Sequence, residues 1–190
     1  MSREEGCSLA EPLRLVRVGA VDEEILRHLQ NKIASALRGL EPEVWLGAIQ
    51  PPREAFNAAR RQFSSAKLLQ WAQGLGLAAT RGRTLLVTAE DLYVPGLNFV
   101  FGQARYPGRL AVISLHRLKP AFYGAKASPE LLLERALKEA VHELGHTYGL
   151  GHCQDAGCVM RFSNSIYEVD AKTPSLCPRC AELLANVRRG

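Results

Sequence analysis

At 190 residues and 47% hydrophobic content, the chain suits one domain around a single core. Its net charge of +5 and pI of 9.1 arise from 24 basic and 19 acidic residues that are interspersed, the pattern of a solvated surface, and no nucleic-acid partner is expected. No run approaches the ~18 apolar residues of a membrane span, and residues 1–12 carry three glutamates where a secretory signal would be basic and then apolar, so the expectation is a cytoplasmic monomer without a membrane partner.

Arg14-Leu15-Val16-Arg17-Val18 alternates between Pro12 and Gly19 and reads as a first strand. Asp22 can cap a helix over residues 23–38, in which Ile25, Leu26, Leu29, Ile33 and Leu37 recur at helical spacing. A second strand over 44–49 is halted by Pro51-Pro52. Residues 55–75 are helical in pattern and end at Gly74 or Gly76, and residues 84–88 form a short buried-type strand. Strands alternating with helices imply parallel pairing through crossovers. Two further strands, over 98–104 and 110–115, flank a hairpin turn at Arg105-Tyr106-Pro107-Gly108-Arg109, so one of the pair runs antiparallel to the rest at the sheet edge.

Ser128-Pro129-Glu130 then opens a helix with an N-cap, a proline at the first position and an acid near the positive end. Leu133, Ala136, Leu137, Ala140, Val141 and Leu144 give it an apolar body. A polar loop over 161–175 leads to a last short helix over 180–187, with Arg188 and Arg189 at its C-terminal end.

His142-Glu143-Leu144-Gly145-His146-Thr147-Tyr148-Gly149-Leu150-Gly151-His152 holds three of the five histidines within eleven residues. On a helix the fourth residue along is rotated by about 40° and raised by about 6 Å, so His142 and His146 share a face. Two imidazoles so placed can bind one Zn²⁺, and Glu143 beside them can take a proton from a zinc-bound water. A straight helix would carry His152 roughly 9 Å beyond His146. Gly149 can take positive φ, end the helix and turn the chain back towards the metal. Three neutral imidazoles leave one position open for water, which marks a catalytic site; a surface helix that happens to carry histidines explains the spacing less well.

Cys153, Cys158, Cys177 and Cys180 follow, the last two as a C-x-x-C knuckle. Four thiolates with no open position describe a closed structural zinc site, giving two Zn²⁺ per chain. Two disulfides are the alternative, which a reducing compartment disfavours. Because Cys153 adjoins His152, folding this cluster would also fix the third catalytic ligand.

The run from His142 to Cys180 reads H-E-x-x-H-x-x-G-x-x-H-C-x4-C-x-M-x16-C-x-x-C and resembles the archaemetzincins, a metzincin-clan family of zinc proteases. The resemblance is anchored in about 39 residues, and the N-terminal two-thirds carries no motif of its own. It implies a single α/β metalloprotease domain over 1–190, with a twisted mixed β-sheet, one antiparallel edge strand and an active-site helix below. Residues 1–149 would form an N-terminal subdomain ending with that helix, and 150–190 a small C-terminal subdomain stapled by the structural zinc. The resemblance makes 98–104 the edge strand over the cleft, where an extended peptide can add by main-chain hydrogen bonds. Met160 matches the Met-turn, an apolar floor beneath the catalytic metal, although by chemistry alone it reads as core. Phe162 stands where some metzincins place an oxyanion-stabilising tyrosine and departs from that pattern. The implied function is hydrolysis of peptides or proteins with Glu143 as general base.

Two alternatives stay open. An aminopeptidase would need an acid near the cleft to hold a free amine, for which Glu90 and Asp91 are available. A non-catalytic zinc-stabilised binding module would explain the basic pI and the cysteines, but not Glu143 beside three ligands. Other candidates read as ordinary: Gly74-Leu75-Gly76-Leu77-Ala78-Ala79 fits a dinucleotide fingerprint but follows a helix and is taken as a helix stop. Cys7 reads as a plain free thiol, and Tyr148, His28 and His116 as packing or surface residues.

Overall fold

The computed structural model describes residues 10–78 and 81–189; Cys7 and Ala79 lie outside the described residues. In chain order the elements are β1 (Glu11–Val18), α1 (Glu23–Ala36), β2 (Leu40–Ile49), β3 (Phe56–Asn57), β4 (Gln62–Ser64), α2 (Ser65–Gly74), β5 (Arg83–Thr88), β6 (Leu92–Tyr93), β7 (Gly102–Ala104), β8 (Leu110–Ser114), α3 (Pro129–Thr147), α4 (Ile166–Ala171) and α5 (Pro178–Arg189). The main sheet has the order β2-β1-β5-β8-β7, and β3-β4-β6 make a small second sheet. β1 pairs parallel with β2 and β5, and β5 with β8, while β7 runs antiparallel to β8 at the edge. This is the mixed α/β sheet with one antiparallel edge strand that the sequence implied.

The period of two along each strand sorts side chains to opposite faces. Leu13, Leu15, Leu85, Val87, Ala111 and Ile113 pack with α1 and α3 on one face. On the other, Val16, Val18, Leu86, Leu110 and Val112 pack with Leu68, Leu69 and Ala72 of α2. The α3 side continues without a break into Cys158, Val159, Met160, Val169, Cys180 and Leu184, so the C-terminal segment shares the core that carries the histidines. Among the described residues no helix is long and apolar enough to cross a membrane.

Four expectations need correction. Residues 55–75 form a helix only from Ser65; the first part is the β3–β4 hairpin. There the Phe56 and Phe63 rings meet across the strands at 5.0 Å, Arg61 takes φ +55°, and the Arg60 guanidinium donates to the carbonyls of Leu97 and Asn98. These long-range contacts override a helical periodicity that is only local, and Ser64 then caps α2 by accepting from the Lys67 N–H. Strand 98–104 shortens to β7, because Val100 pairs back to Leu92 instead of joining the sheet. The polar loop 161–175 contains α4, opened by a reciprocal cap: Ser165 Oγ accepts from the Glu168 N–H, and the Glu168 carboxylate accepts from the Asn164 N–H. The second strand begins at Leu40 and runs through Pro42, which an edge strand tolerates.

Candidate active site

α3 starts as the sequence predicts, with Ser128 Oγ accepting from the Leu131 N–H at 3.2 Å and Pro129 at the first position. It ends at Gly149, which takes φ +83° while its N–H donates to the His146 carbonyl and the Leu150 N–H to the Gly145 carbonyl. That paired closure reverses the chain, as a left-handed glycine cap does. His152 is thereby returned to the helix: its ring lies 5.5 Å from that of His142 and 4.9 Å from that of His146, centroid to centroid.

One ring nitrogen from each of His142, His146 and His152 lies within 4.8 Å of the other two, close enough to share a metal ion. His142 Nδ1 donates to the Val159 carbonyl at 2.8 Å and His146 Nδ1 to the Leu150 carbonyl at 2.7 Å. With both Nδ1 atoms so engaged, the neutral rings turn unprotonated Nε2 lone pairs on each other, 3.0 Å apart. Facing lone pairs repel unless a cation lies between them, so the donor set fits a zinc ion. Burial holds the pKa of all three histidines below the ordinary value, that of His142 well below, and the Lys172 ammonium adds to the effect. Neutral imidazoles are what a metal requires.

Glu143 is 5% exposed, pressed between α3 and the edge strand. A Cβ at Gly102 of β7 would stand 2.6 Å from Glu143 Cγ and 2.7 Å from Oε1, so only glycine lets the strand pass over this carboxylate. Burial raises the Glu143 pKa well above the ordinary carboxylate range; the Glu139 charge adds to the rise and Lys172 opposes it. Met160 is fully buried against Gly145, in the turn between His142 and His146, and its carbonyl accepts from the Cys153 N–H at 3.0 Å.

The four cysteine sulfurs also lie within 4.8 Å of one another. None is in a disulfide; Cys153 and Cys177 Sγ are 3.7 Å apart, and the Cys177 N–H donates to Cys158 Sγ. Burial pushes the Cys158 and Cys180 thiols up, while the Cys180 backbone N–H lowers Cys177. Four convergent sulfurs without disulfides fit a second, closed zinc site.

A cavity of about 520 Å³ runs along β7 past the histidines and Glu143. Phe162 lines it, half-exposed, with its ring centroid 5.0 Å from that of His152, so no phenol stands at that position. Tyr106 also lines it, its hydroxyl donating to the Gly149 carbonyl at 3.1 Å. Glu139 and Lys172 also line the cavity, an ion pair at 3.0 Å that sequence reasoning missed. Glu139 was findable as the acid one turn before Glu143; Lys172, in a stretch read as loop, carried no signal. Neither Glu90 nor Asp91 lines this cleft, which removes the acids offered for an aminopeptidase. Asp91 is spent on a two-pronged pair with Arg117, both contacts at 2.8 Å. Tyr148 packs as expected, with the guanidinium groups of Arg83 and Arg188 against its ring and its hydroxyl donating to Glu11. His28 is half-buried and His116 stands edge-on to Phe122, both outside the cluster.

Residues 52–186 match the model of peptidase family M54. An archaemetzincin of Methanopyrus kandleri is 52% identical over 140 residues, covering 73% of this chain and 75% of that protein. The crystal structure of archaemetzincin from M. kandleri superposes with a TM-score of 0.84 at 40% identity, covering 97% of this chain and 98% of the other. A zinc-dependent peptidase from Methanocorpusculum labreanum gives a TM-score of 0.82 at 29% identity over 90% and 99%. On the strength of a family model spanning most of the chain and relatives alike in sequence and in fold, this chain belongs to peptidase family M54, the archaemetzincins, and is a zinc metallopeptidase.

Proposed function

We propose that the chain hydrolyses peptide bonds at one zinc ion held by His142, His146 and His152, with Glu143 as general base and a second, structural zinc on Cys153, Cys158, Cys177 and Cys180. The observation that supports this most is the pair of facing Nε2 atoms, 3.0 Å apart, beside a buried carboxylate on the same helix. Residues 1–190 would act as one metalloprotease domain, with 1–149 and 150–190 as its subdomains, in a monomer of the cytoplasm.

When bound, zinc supplies Lewis-acid polarisation and lowers the pKa of water towards about 7. Glu143 takes the proton from the attacking water and delivers it to the departing amine nitrogen. Its burial favours the second act, because a carboxyl with a raised pKa holds the proton until the amine takes it. The Val159 and Leu150 carbonyls fix the tautomer and tilt of His142 and His146. Met160 fills the space below them, and β7 offers an open edge along which an extended substrate can align.

Zinc stoichiometry tests the two-site reading. Two ions per chain are expected, of unequal lability: brief chelation should strip the open histidine site and abolish peptide cleavage, while the thiolate-bound ion and the fold persist. Metal analysis finding one zinc, or none left on the cysteines after mild chelation, would sink it.

Gly102→Ala tests the placement of Glu143. The added methyl would have to displace the carboxylate or the edge strand, and a displacement of about 1 Å can cost ~10²-fold in rate. We expect kcat/KM to fall by about 10-fold to 10²-fold with zinc content unchanged. Wild-type rates in this variant would mean that Glu143 is not held where the proton must move.

A further inference from the structure

We propose that Glu139 and Lys172 form a charge-balanced floor to the subsite beside Glu143, and that this floor selects substrates whose side chain there ends in a carboxamide. The inference rests on the peptide-hydrolase reading above and adds a specificity determinant to it.

Glu139 lies one helical turn before Glu143, hence on the same face of α3, and Lys172 follows α4. Their Nζ–Oε1 distance is 3.0 Å, and the two side chains are 0% and 4% exposed. Both residues line the cavity that holds the three histidines and Glu143.

The other ions between α3 and α4 are fully engaged. Arg135 donates twice to the Asp170 carboxylate and once to the Leu118 carbonyl. Lys138 pairs with Glu134 and donates to the Asp170 carbonyl. Those contacts suffice to dock α4 on α3. The pair at the cleft differs: beyond each other, neither Lys172 Nζ nor Glu139 Oε1 has a polar partner among the described residues, although both atoms are buried. A buried ion pair lacking its remaining hydrogen bonds does not outperform apolar packing of the same volume. Its placement in the cleft gives it a different use.

The chemistry of the pair narrows the ligand. An apolar side chain reaching this floor would leave a donor and an acceptor dry. A carboxylate would satisfy Lys172 but crowd Glu139 and Glu143, and an ammonium would meet Lys172. A carboxamide is neutral and carries both complements, N–H for Glu139 and C=O for Lys172. Sites built on such polar complements discriminate strongly against analogues that lack them.

Peptide hydroxamates that differ only in the residue flanking the chelating group, Gln, Glu or Leu, provide the test. Each would be titrated calorimetrically into the zinc-loaded protein. Wild type should bind the Gln ligand at least about tenfold more tightly than the other two. Glu139→Gln leaves Lys172 unbalanced and should move the preference to Glu. The double replacement Glu139→Leu, Lys172→Met makes the floor apolar and should move it to Leu. Should the single variant fail to hold zinc, the wild-type ranking and the double variant decide. Equal binding of the three ligands by wild type, no binding of any, or an unchanged ranking in folded variants would overturn the subsite. A wild type that shows the Gln preference yet cleaves no peptide would overturn the hydrolytic reading and leave the subsite standing; cleavage with an even ranking would do the reverse.

Discussion

Glu143→Ala should keep both zinc ions and lose peptide turnover by ~10²-fold or more. The change removes a proton acceptor but no histidine, and the His142 and His146 rings are held by backbone carbonyls and not by Glu143. It also removes a carboxylate whose burial is unfavourable for its charged form, so the fold should not suffer from losing it. The expected signature is therefore an inactive protein with wild-type metal content and unimpaired thermal unfolding. Zinc analysis and single-turnover cleavage of a peptide selected from a library would read both arms. Turnover that survives the replacement would exclude Glu143 as the base, and loss of zinc would mean that its carboxylate supports a ligand.

Much of this site could be read before the fold because metal geometry writes itself into spacing. His142 and His146 had to share a helix face, and His152 could be recovered only by a chain reversal at Gly149, which takes φ +83°. Ser128-Pro129 marked the start of the same helix by cap chemistry that is wholly local. What stayed hidden depends on partners distant in the chain. The helical pattern over 55–63 gave way to a hairpin because Arg60 is drawn to carbonyls 37 and 38 residues on. Gly102 looked like one more glycine in a strand until the Glu143 carboxylate was found against it. Lys172 looked like loop, yet it meets Glu139, 33 residues earlier, inside the cleft. The cap at Ser165 is a different matter: Ser165 with Glu168 is a local signal that was present and went unused.

Cys153→Ser is the prediction that couples the two metal sites. Cys153 is adjacent in sequence to His152, and its N–H donates to the Met160 carbonyl, so it joins the sulfur cluster, the third histidine and the floor of the catalytic site. Cys158 and Cys180 belong to the same buried core as Met160 and Leu144, so loosening the cluster opens a packed region and not a surface loop. Metal binding at a closed site of this kind is itself folding free energy, and the loss should reach several kcal/mol, of the order of 3–5. The catalytic ion should then leave more readily even though all three histidines are present. Zinc stoichiometry, chelation rates at the histidine site and thermal unfolding would be followed together, beside Glu143→Ala, which changes none of them. A Cys153→Ser protein with two zinc ions and wild-type stability would remove Cys153 from the cluster. One that loses the structural zinc but retains the catalytic ion as firmly as before would show that His152 is held by the Gly149 turn alone.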